Sequence, residues 1–290
     1  MGEIKYVAII VVYNKTIEGS ITCESLKKIS NINVEIVIVD NSETDFHNDD
    51  LCKRLGYTYI SMNGNKGLSK AYNVAIDSTQ SDIIVLFDDD TNVDKRYFDV
   101  LSRAVNQHPE IDIFAPVVYG QDGVIYSPNE FNFLRNHFID DPTQKVSQEK
   151  FNAIASCLAI RRRVFENYKF DERLFVDQID QYFFCEQRQL KRKFLKLDIE
   201  IYQNFYQRGN TLDPISAWNR VRLRLVDIMK HAELMGKMKY RFLGFVKCLG
   251  LSMQIAKKSK SVNVLFKGIR LTCLSLIHIS EPTRRRGISY

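Results

Sequence analysis

Ile83-Ile84-Val85-Leu86-Phe87-Asp88-Asp89-Asp90 joins five consecutive apolar residues to three consecutive carboxylates. An apolar side chain at every position marks a strand buried on both faces, as in a parallel sheet covered by helices. Three adjacent carboxylates repel one another. A fold keeps them at the end of such a strand mainly when a cation or several donors neutralise them. The stretch therefore predicts a central strand of an α/β sheet that ends in a metal-dependent site.

Working outward, residues 7–12 and 34–39 are further β-branched runs, and 58–62 reads as a third strand before 83–87. Helical spacing fills the intervals at 17–29 and 69–78, and returns at 94–107. Such alternation predicts an α/β domain with helices on the sheet faces. Residues 111–118 read as a strand that stops near Pro116. From 119 to 148, Gly120, Gly123, Pro128 and Pro142 punctuate an irregular region of the kind that covers active sites. A strand at 151–160, a helix at 180–193 and a strand at 195–202 follow. Beyond Asp213-Pro214 the chain reads as helical and basic.

Charge divides the chain. Residues 1–185 carry 19 Lys and Arg against 28 Asp and Glu, whereas residues 186–290 carry 22 against 7. A basic final third suits a membrane surface, a polyanion or a plain solvated face. Within 237–260, Met238, Phe242, Phe245, Leu249 and Met253 recur at helical spacing between Lys and Arg residues. That pattern serves an anionic leaflet or a helix packed on the body equally well. The apolar run 242–256 is too short to span a bilayer and contains Lys247. The six cysteines form no C-x-x-C pair and read as reduced, mostly buried thiols. No secretory leader precedes the first strand, so a cytoplasmic location is expected. No nucleic-acid motif frames the basic residues, and nucleic-acid binding is not expected. Residues 274–284 read like an in-frame translation of a sequencing adapter, so the natural chain is expected to diverge near Cys273.

In open α/β sheets the carboxyl ends of the strands line the ligand crevice. Tyr13-Asn14 follow the first strand, Asp40-Asn41-Ser42 the second, Asn63 through Gly67 the third, and the acidic triplet the fourth. Asp40 can accept from a base N–H or a ribose hydroxyl, or simply start a turn. Gly67 opens the helix that carries Asn73. Backbone amides there can face a pyrophosphate, or the pair can be a turn glycine and a capping amide. Asp88 and Asp90 can hold a hard divalent cation that bridges two phosphates.

Together these residues resemble the family 2 glycosyltransferases of the GT-A fold, over about residues 6–205. The V-x-Y-N segment is Val11 to Asn14, the N-x-G-x-x-x-A-x-N segment is Asn65 to Asn73, and D-x-D is Asp88-Asp89-Asp90. Phe170-Asp171-Glu172-Arg173-Leu174-Phe175 is similar to the family's F-D-E-x-F-F, which leads to the catalytic base. The resemblance implies a Rossmann-like mixed sheet flanked by helices, and a hexosyl- or rhamnosyltransferase using Mg²⁺ or Mn²⁺. It implies a UDP- or dTDP-sugar donor and a glycan or lipid-linked glycan acceptor. Donor contacts fall on Tyr13, Asp40, Asn65, Gly67, Asn73, Asp88 and Asp89, metal contacts on Asp88 and Asp90, and the base on Asp180, with Asp177 as runner-up. Inversion needs such a carboxylate opposite the leaving group.

The chain departs from the family in two places. Ile179 stands where an acidic residue usually precedes the base, and the late metal-ligand His has no counterpart, leaving Gln203 or Asn204 to substitute. The implied organisation is a catalytic domain at 1–212, with a nucleotide-sugar half to about 118 and an acceptor half beyond it. A basic helical region at 213–273 and the tail at 274–290 follow. A phosphotransferase nucleophile loop is disfavoured by Asn92, and a nucleotidyltransferase by the lack of a glycine-rich loop after the first strand. A catalytically silent nucleotide-sugar-binding module is the alternative from another class.

Overall fold

The computed structural model describes residues 4–29, 33–204 and 214–280. They fall into two compact units, Met1–Phe175 with Ile179–Tyr206, and Val176–Gln178 with Gln207–Tyr290. In the first, β1 (Tyr6–Val12), α1 (Ile21–Leu26), β2 (Val34–Asp40), α2 (Asn48–Leu55), β3 (Thr58–Ser61), α3 (Leu68–Asp77) and β4 (Ile83–Phe87) alternate as expected. Then come β5 (Thr91–Asn92), α4 (Lys95–Gln107), β6 (Ile113–Tyr119), and the short strands β7 (Ile125–Ser127), β8 (Asn129–Asn132) and β9 (Arg135–Phe138). β10 (Phe151–Asn152), β11 (Leu158–Arg161), α5 (Ile179–Gln189) and β12 (Phe194–Gln203) complete the unit.

The main sheet runs β3-β2-β1-β4-β11-β6-β12-β5, with β7 paired to β6, and β10-β8-β9 form a small second sheet. β3, β2, β1 and β4 are mutually parallel, while β11 runs antiparallel to β4 and β6. One face packs Ala8, Ile10, Ile38, Val85 and Phe87 against Cys23 and Leu26 of α1 and Tyr97, Phe98 and Leu101 of α4. Val7, Ile9, Val37, Val39, Ile84 and Leu86 are equally buried, so both faces are covered and the unbroken apolar runs are explained.

Three expectations are corrected. The helix expected at 17–29 is a 3-10 turn at Ile17–Gly19 followed by α1. Ser20 restarts the chain there by accepting the Cys23 N–H at its Oγ. The strand expected to stop near Pro116 runs through it. Proline has no N–H to offer a ladder, and β12 departs from regular register between Lys196 and Glu200, opposite that gap. The strand expected at 151–160 is two strands, broken at residues 153–157 by a turn in which Leu158 donates to the Ala155 carbonyl and Cys157 adopts φ 58°.

The second unit contains α6 (Pro214–Leu234), α7 (Met238–Lys258) and α8 (Val262–Ser280). Val221, Leu225, Ile228, Met229, Cys248 and Val264 form its core. α7 buries small residues four apart, Gly244, Cys248 and Ser252. A Cβ at Gly244 would lie 2.8 Å from the Ala232 Cβ, so α6 and α7 approach closely. Its larger apolar residues Met238, Phe242, Val246 and Met253 are exposed instead. α8 continues past Cys273 to Ser280, and residues 281–290 of the expected tail lie outside the described residues. Among the described residues no helix is long and apolar enough to cross a membrane. All six cysteines are free, four of them buried.

Candidate active site

Parallel register sets the strand ends side by side. Val12 pairs with Asp40, Asp40 with Ser61, and Ile10 with Phe87 at the end of β4. The loops beyond them are tied to one another. Asn14, at φ 50°, donates its N–H to Ser42 Oγ (2.9 Å) and accepts from the Glu43 N–H (3.1 Å) at its Oδ1. Tyr13 is left half-exposed beside them. Asp40 is buried and accepts from the Ser42 N–H (3.0 Å), Asn48 Nδ2 (2.8 Å) and the Tyr59 hydroxyl (3.3 Å). About one of its roughly four lone pairs is left for a ligand. Asn65 Oδ1 accepts from Asn41 Nδ2 (3.0 Å), and Asn41 Oδ1 accepts from the Lys66 N–H (2.8 Å), locking the second and third loops together.

The acidic triplet is held from its backbone. The Ser20 hydroxyl donates to the Asp89 carbonyl (2.9 Å), and Thr22 Oγ1 donates to that of Asp88 while accepting the Thr91 N–H. Its side chains diverge in role. Asp89 pairs with Lys15 Nζ at 2.6 Å, a cation that the sequence reading passed over because a single lysine in a polar loop carries no pattern. Asp88 Oδ2 and Asp90 Oδ1 both accept from one atom, Gln203 Nε2, at 2.8 and 2.7 Å. Of the two substitutes for the missing histidine, Gln203 is therefore the one that reaches the carboxylates. Asn204 Oδ1 accepts from Gln121 instead.

Among the described residues no three His, Cys, Asp or Glu side chains cluster as a cation site. The donor chemistry still fits a hard divalent ion. Two carboxylate oxygens converge on one point, and Gln203 Oε1 is buried without a hydrogen-bond partner.

Burial, with Asp90 beside it, pushes the Asp88 carboxyl up to about 6, against the bond from Gln203. In the unfolded chain it titrates near its ordinary value of about 3.9. The metal-free fold thus holds the extra proton between these values and loses relative stability as pH rises from about 4 to about 6. Asp88→Asn has no such proton to lose. In melts with a chelator, the parent protein is expected to fall in melting temperature relative to Asp88→Asn across this window; a gap independent of pH would refute the assignment.

The start of α3 differs from expectation. Gly67 donates to Asn65 Oδ1 (3.2 Å), and the Leu68 N–H goes to the Phe175 carbonyl (2.6 Å), so this amide faces protein. Asn73 is buried. It accepts the Phe170 N–H and donates to the Phe170 carbonyl, both at 2.9 Å, and to Glu172 Oε1 at 3.2 Å. The structure brings Tyr13, Asp40, Asn65 and the triplet to the strand ends. It commits the Asn73 amide to segment 170–175, the segment that leads to Asp180.

Asp180 lies in the first turn of α5, where helix amides favour a carboxylate, and its Oδ2 accepts the Ala155 N–H at 3.3 Å. The break between β10 and β11 supplies that amide. Tyr72, missed because it reads as a core position of α3, is wholly buried, and its hydroxyl has no hydrogen-bond partner. Burial raises its pKa well above the usual value, and the charges of Asp88 and Asp180 add to the shift. In the helical unit, Asp177 is occupied. Burial pushes its carboxyl up, but Arg224, Gln178 and Lys247 outweigh burial and hold it below the usual range. Its Oδ2 pairs with Arg224, and its Oδ1 accepts from Gln178. A carboxylate so engaged is a poor proton acceptor.

The family model described as Glycosyl transferase family 2 matches residues 7–169. No curated protein matches the chain. Among solved structures, S. aureus TarS 1-349 is similar with a TM-score of 0.53 at 15% identity, over 94% of this chain and 91% of that one. The same protein in complex with UDP-GlcNAc gives 0.54 at 15% identity, over 94% and 92%. The mannosyltransferase PcManGT from Pyrobaculum calidifontis, in complex with GDP-Man and Mn²⁺, gives 0.56 at 13% identity, over 96% and 75%.

Proposed function

Because the chain belongs to glycosyl transferase family 2, we propose that it moves a sugar from a nucleoside-diphosphate donor to an acceptor hydroxyl with inversion at the anomeric carbon. The observation that carries this reading is the convergence of the Asp88 and Asp90 carboxylates at the end of β4, with Lys15 paired to Asp89 beside them. Inversion needs a leaving-group site and a base on opposite sides of the transferred sugar. The acceptor oxygen gives its proton to the Asp180 carboxylate and bonds to the anomeric carbon, while the bond to the diphosphate breaks. Lys15, already beside Asp89, offers positive charge to the departing phosphates. Asp88 and Asp90, with Gln203 close by, would hold Mg²⁺ or Mn²⁺. When bound, that ion supplies counter-charge to the leaving diphosphate.

Structures similar in fold are described with UDP-GlcNAc and with GDP-Man and Mn²⁺, and a UDP- or dTDP-sugar is the donor class proposed here. A panel of nucleotide sugars with and without Mn²⁺, read as release of nucleoside diphosphate in the presence of acceptor, tests the reading. Donor binding without release under any condition would favour a silent binding module instead.

A lipid-linked glycan at a membrane surface is the proposed acceptor setting. The support is the outward face of α7, where Met238, Phe242, Val246 and Met253 are exposed beside exposed Lys239, Lys257 and Lys258. Residues 214–280 carry 13 Lys and Arg against 2 Asp and Glu. Apolar residues within a cationic field suit an anionic leaflet. Binding to anionic liposomes is expected to weaken with salt, and Phe242→Glu is expected to reduce it roughly 10-fold or more, the worth of one inserted aromatic. Partitioning indifferent to both would remove the membrane from the proposal.

A further inference from the structure

Gln203 stands at the end of β12, where its backbone is tied down. It pairs with Thr91 of β5, and the next N–H, of Asn204, donates to the Asp90 carbonyl at 3.2 Å. The side chain is 2% exposed. Its two amide atoms have opposite fortunes. Nε2 donates to both Asp88 and Asp90, whereas Oε1 is buried with no hydrogen-bond partner.

In the outer position Oε1 meets no donor. A half-turn about the last side-chain bond exchanges N and O at almost unchanged shape, and the turn costs Oε1 no existing hydrogen bond. The inward contacts, with what stands between the two carboxylates, therefore set which atom points inward. With only carboxylates there, an N–H donor is favoured and an oxygen is repelled. With a divalent cation there, the preference reverses.

We propose that Gln203 is a switching ligand, which bridges Asp88 and Asp90 as a donor when the site holds no cation and turns Oε1 inward as a third protein oxygen when a divalent cation enters. The inference rests on the metal-assisted reading above and assigns the residue that completes it. Spacing supports it. Neighbouring ligands of an octahedral ion with bonds of about 2.1 Å lie about 3 Å apart, and the inward amide atom is already 2.8 and 2.7 Å from the two carboxylate oxygens. The chemistry also selects the ion. Two carboxylates and an amide oxygen form an all-oxygen set, which suits Mg²⁺ or Mn²⁺ over metals that favour nitrogen or sulfur.

The test uses the full chain and the metals alone, Mg²⁺ by calorimetry and Mn²⁺ by electron paramagnetic resonance. Gln203→Leu is expected to lose about 10- to 100-fold in Mg²⁺ affinity, the scale on which single groups tune metal sites. Gln203→His is expected to bind Zn²⁺ at least about tenfold more tightly relative to Mg²⁺ than the parent does, and its Co²⁺ complex should show the absorption change of an added nitrogen ligand. If folded Gln203→Leu, checked by its melting curve, binds Mg²⁺ as tightly as the parent or more tightly, the amide is a competitor and not a ligand, and the switch is overturned. If the parent binds neither metal and sugar transfer proceeds in a chelator, the metal-assisted reading falls along with it; loss of the switch alone leaves that reading standing.

Discussion

Asp180→Asn is expected to lower turnover by about 10²- to 10⁴-fold, the usual contribution of a positioned general base, with donor affinity little changed. Asparagine keeps the shape and an oxygen for the Ala155 N–H, so the first turn of α5 should survive. What it cannot do is take a proton. Nucleoside diphosphate release measured beside calorimetric donor binding separates these effects. Turnover within a few-fold of the parent would exclude Asp180 as the base. Asp177→Asn provides the contrast. Its carboxylate is engaged with Arg224 and Gln178, so the loss should register mainly in melting temperature.

Gly67→Ala carries the second large effect, on the scaffold. Gly67 sits at φ 89° and ψ 156°, a region that side-chain-bearing residues avoid at a cost of about 1–3 kcal/mol. A Cβ there would also meet the Phe175 ring at 2.7 Å and its carbonyl at 3.1 Å. The same carbonyl accepts the first N–H of α3. Strain and overpacking together are expected to cost about 3 kcal/mol, or roughly 5 °C for a chain of 290 residues. Gly64 separates the two contributions. It has φ 101° but open space around its Cβ position, so Gly64→Ala should pay the backbone strain alone. Equal melting temperatures for the two variants would show that Phe175 yields freely. Because segment 170–175 leads to Asp180, Gly67→Ala should lower turnover as well.

The donor side of the fold was legible because doubly buried strands leave an unmistakable apolar run, and polar residues directly after such runs sit at one edge of the sheet. Asp40 and the triplet could be placed from that logic alone. Asp180 needed the resemblance, since one acid at a helix start is a capping residue by default. Tertiary partners decided the remainder. Pro116 looked like a terminator because the compensating irregularity lies about 80 residues away, on β12. Residues 151–160 looked like one strand because Ala153 and Ala155 are small, buried and apolar whether extended or turned. Lys15 and Tyr72 had no local pattern, and Asn73 had two readings, of which the structure shows a bracket around segment 170–175.

The irregular register of β12 has a consequence for how this protein can change. From Leu197 onward, Leu197, Ile199, Ile201 and Gln203 face inward while Asp198, Glu200 and Tyr202 face solvent. Side chains alternate along a strand, so gaining one residue ahead of this stretch would present Tyr202 to the carboxylates in place of the amide, losing one would present Asn204, and gaining two would present Ile201. Pro116 and the slack strand opposite it work as a ruler, metering out chain so that the right side chain arrives at Asp88 and Asp90. The number of residues at 195–199 should therefore be constant in related chains wherever the glutamine is kept.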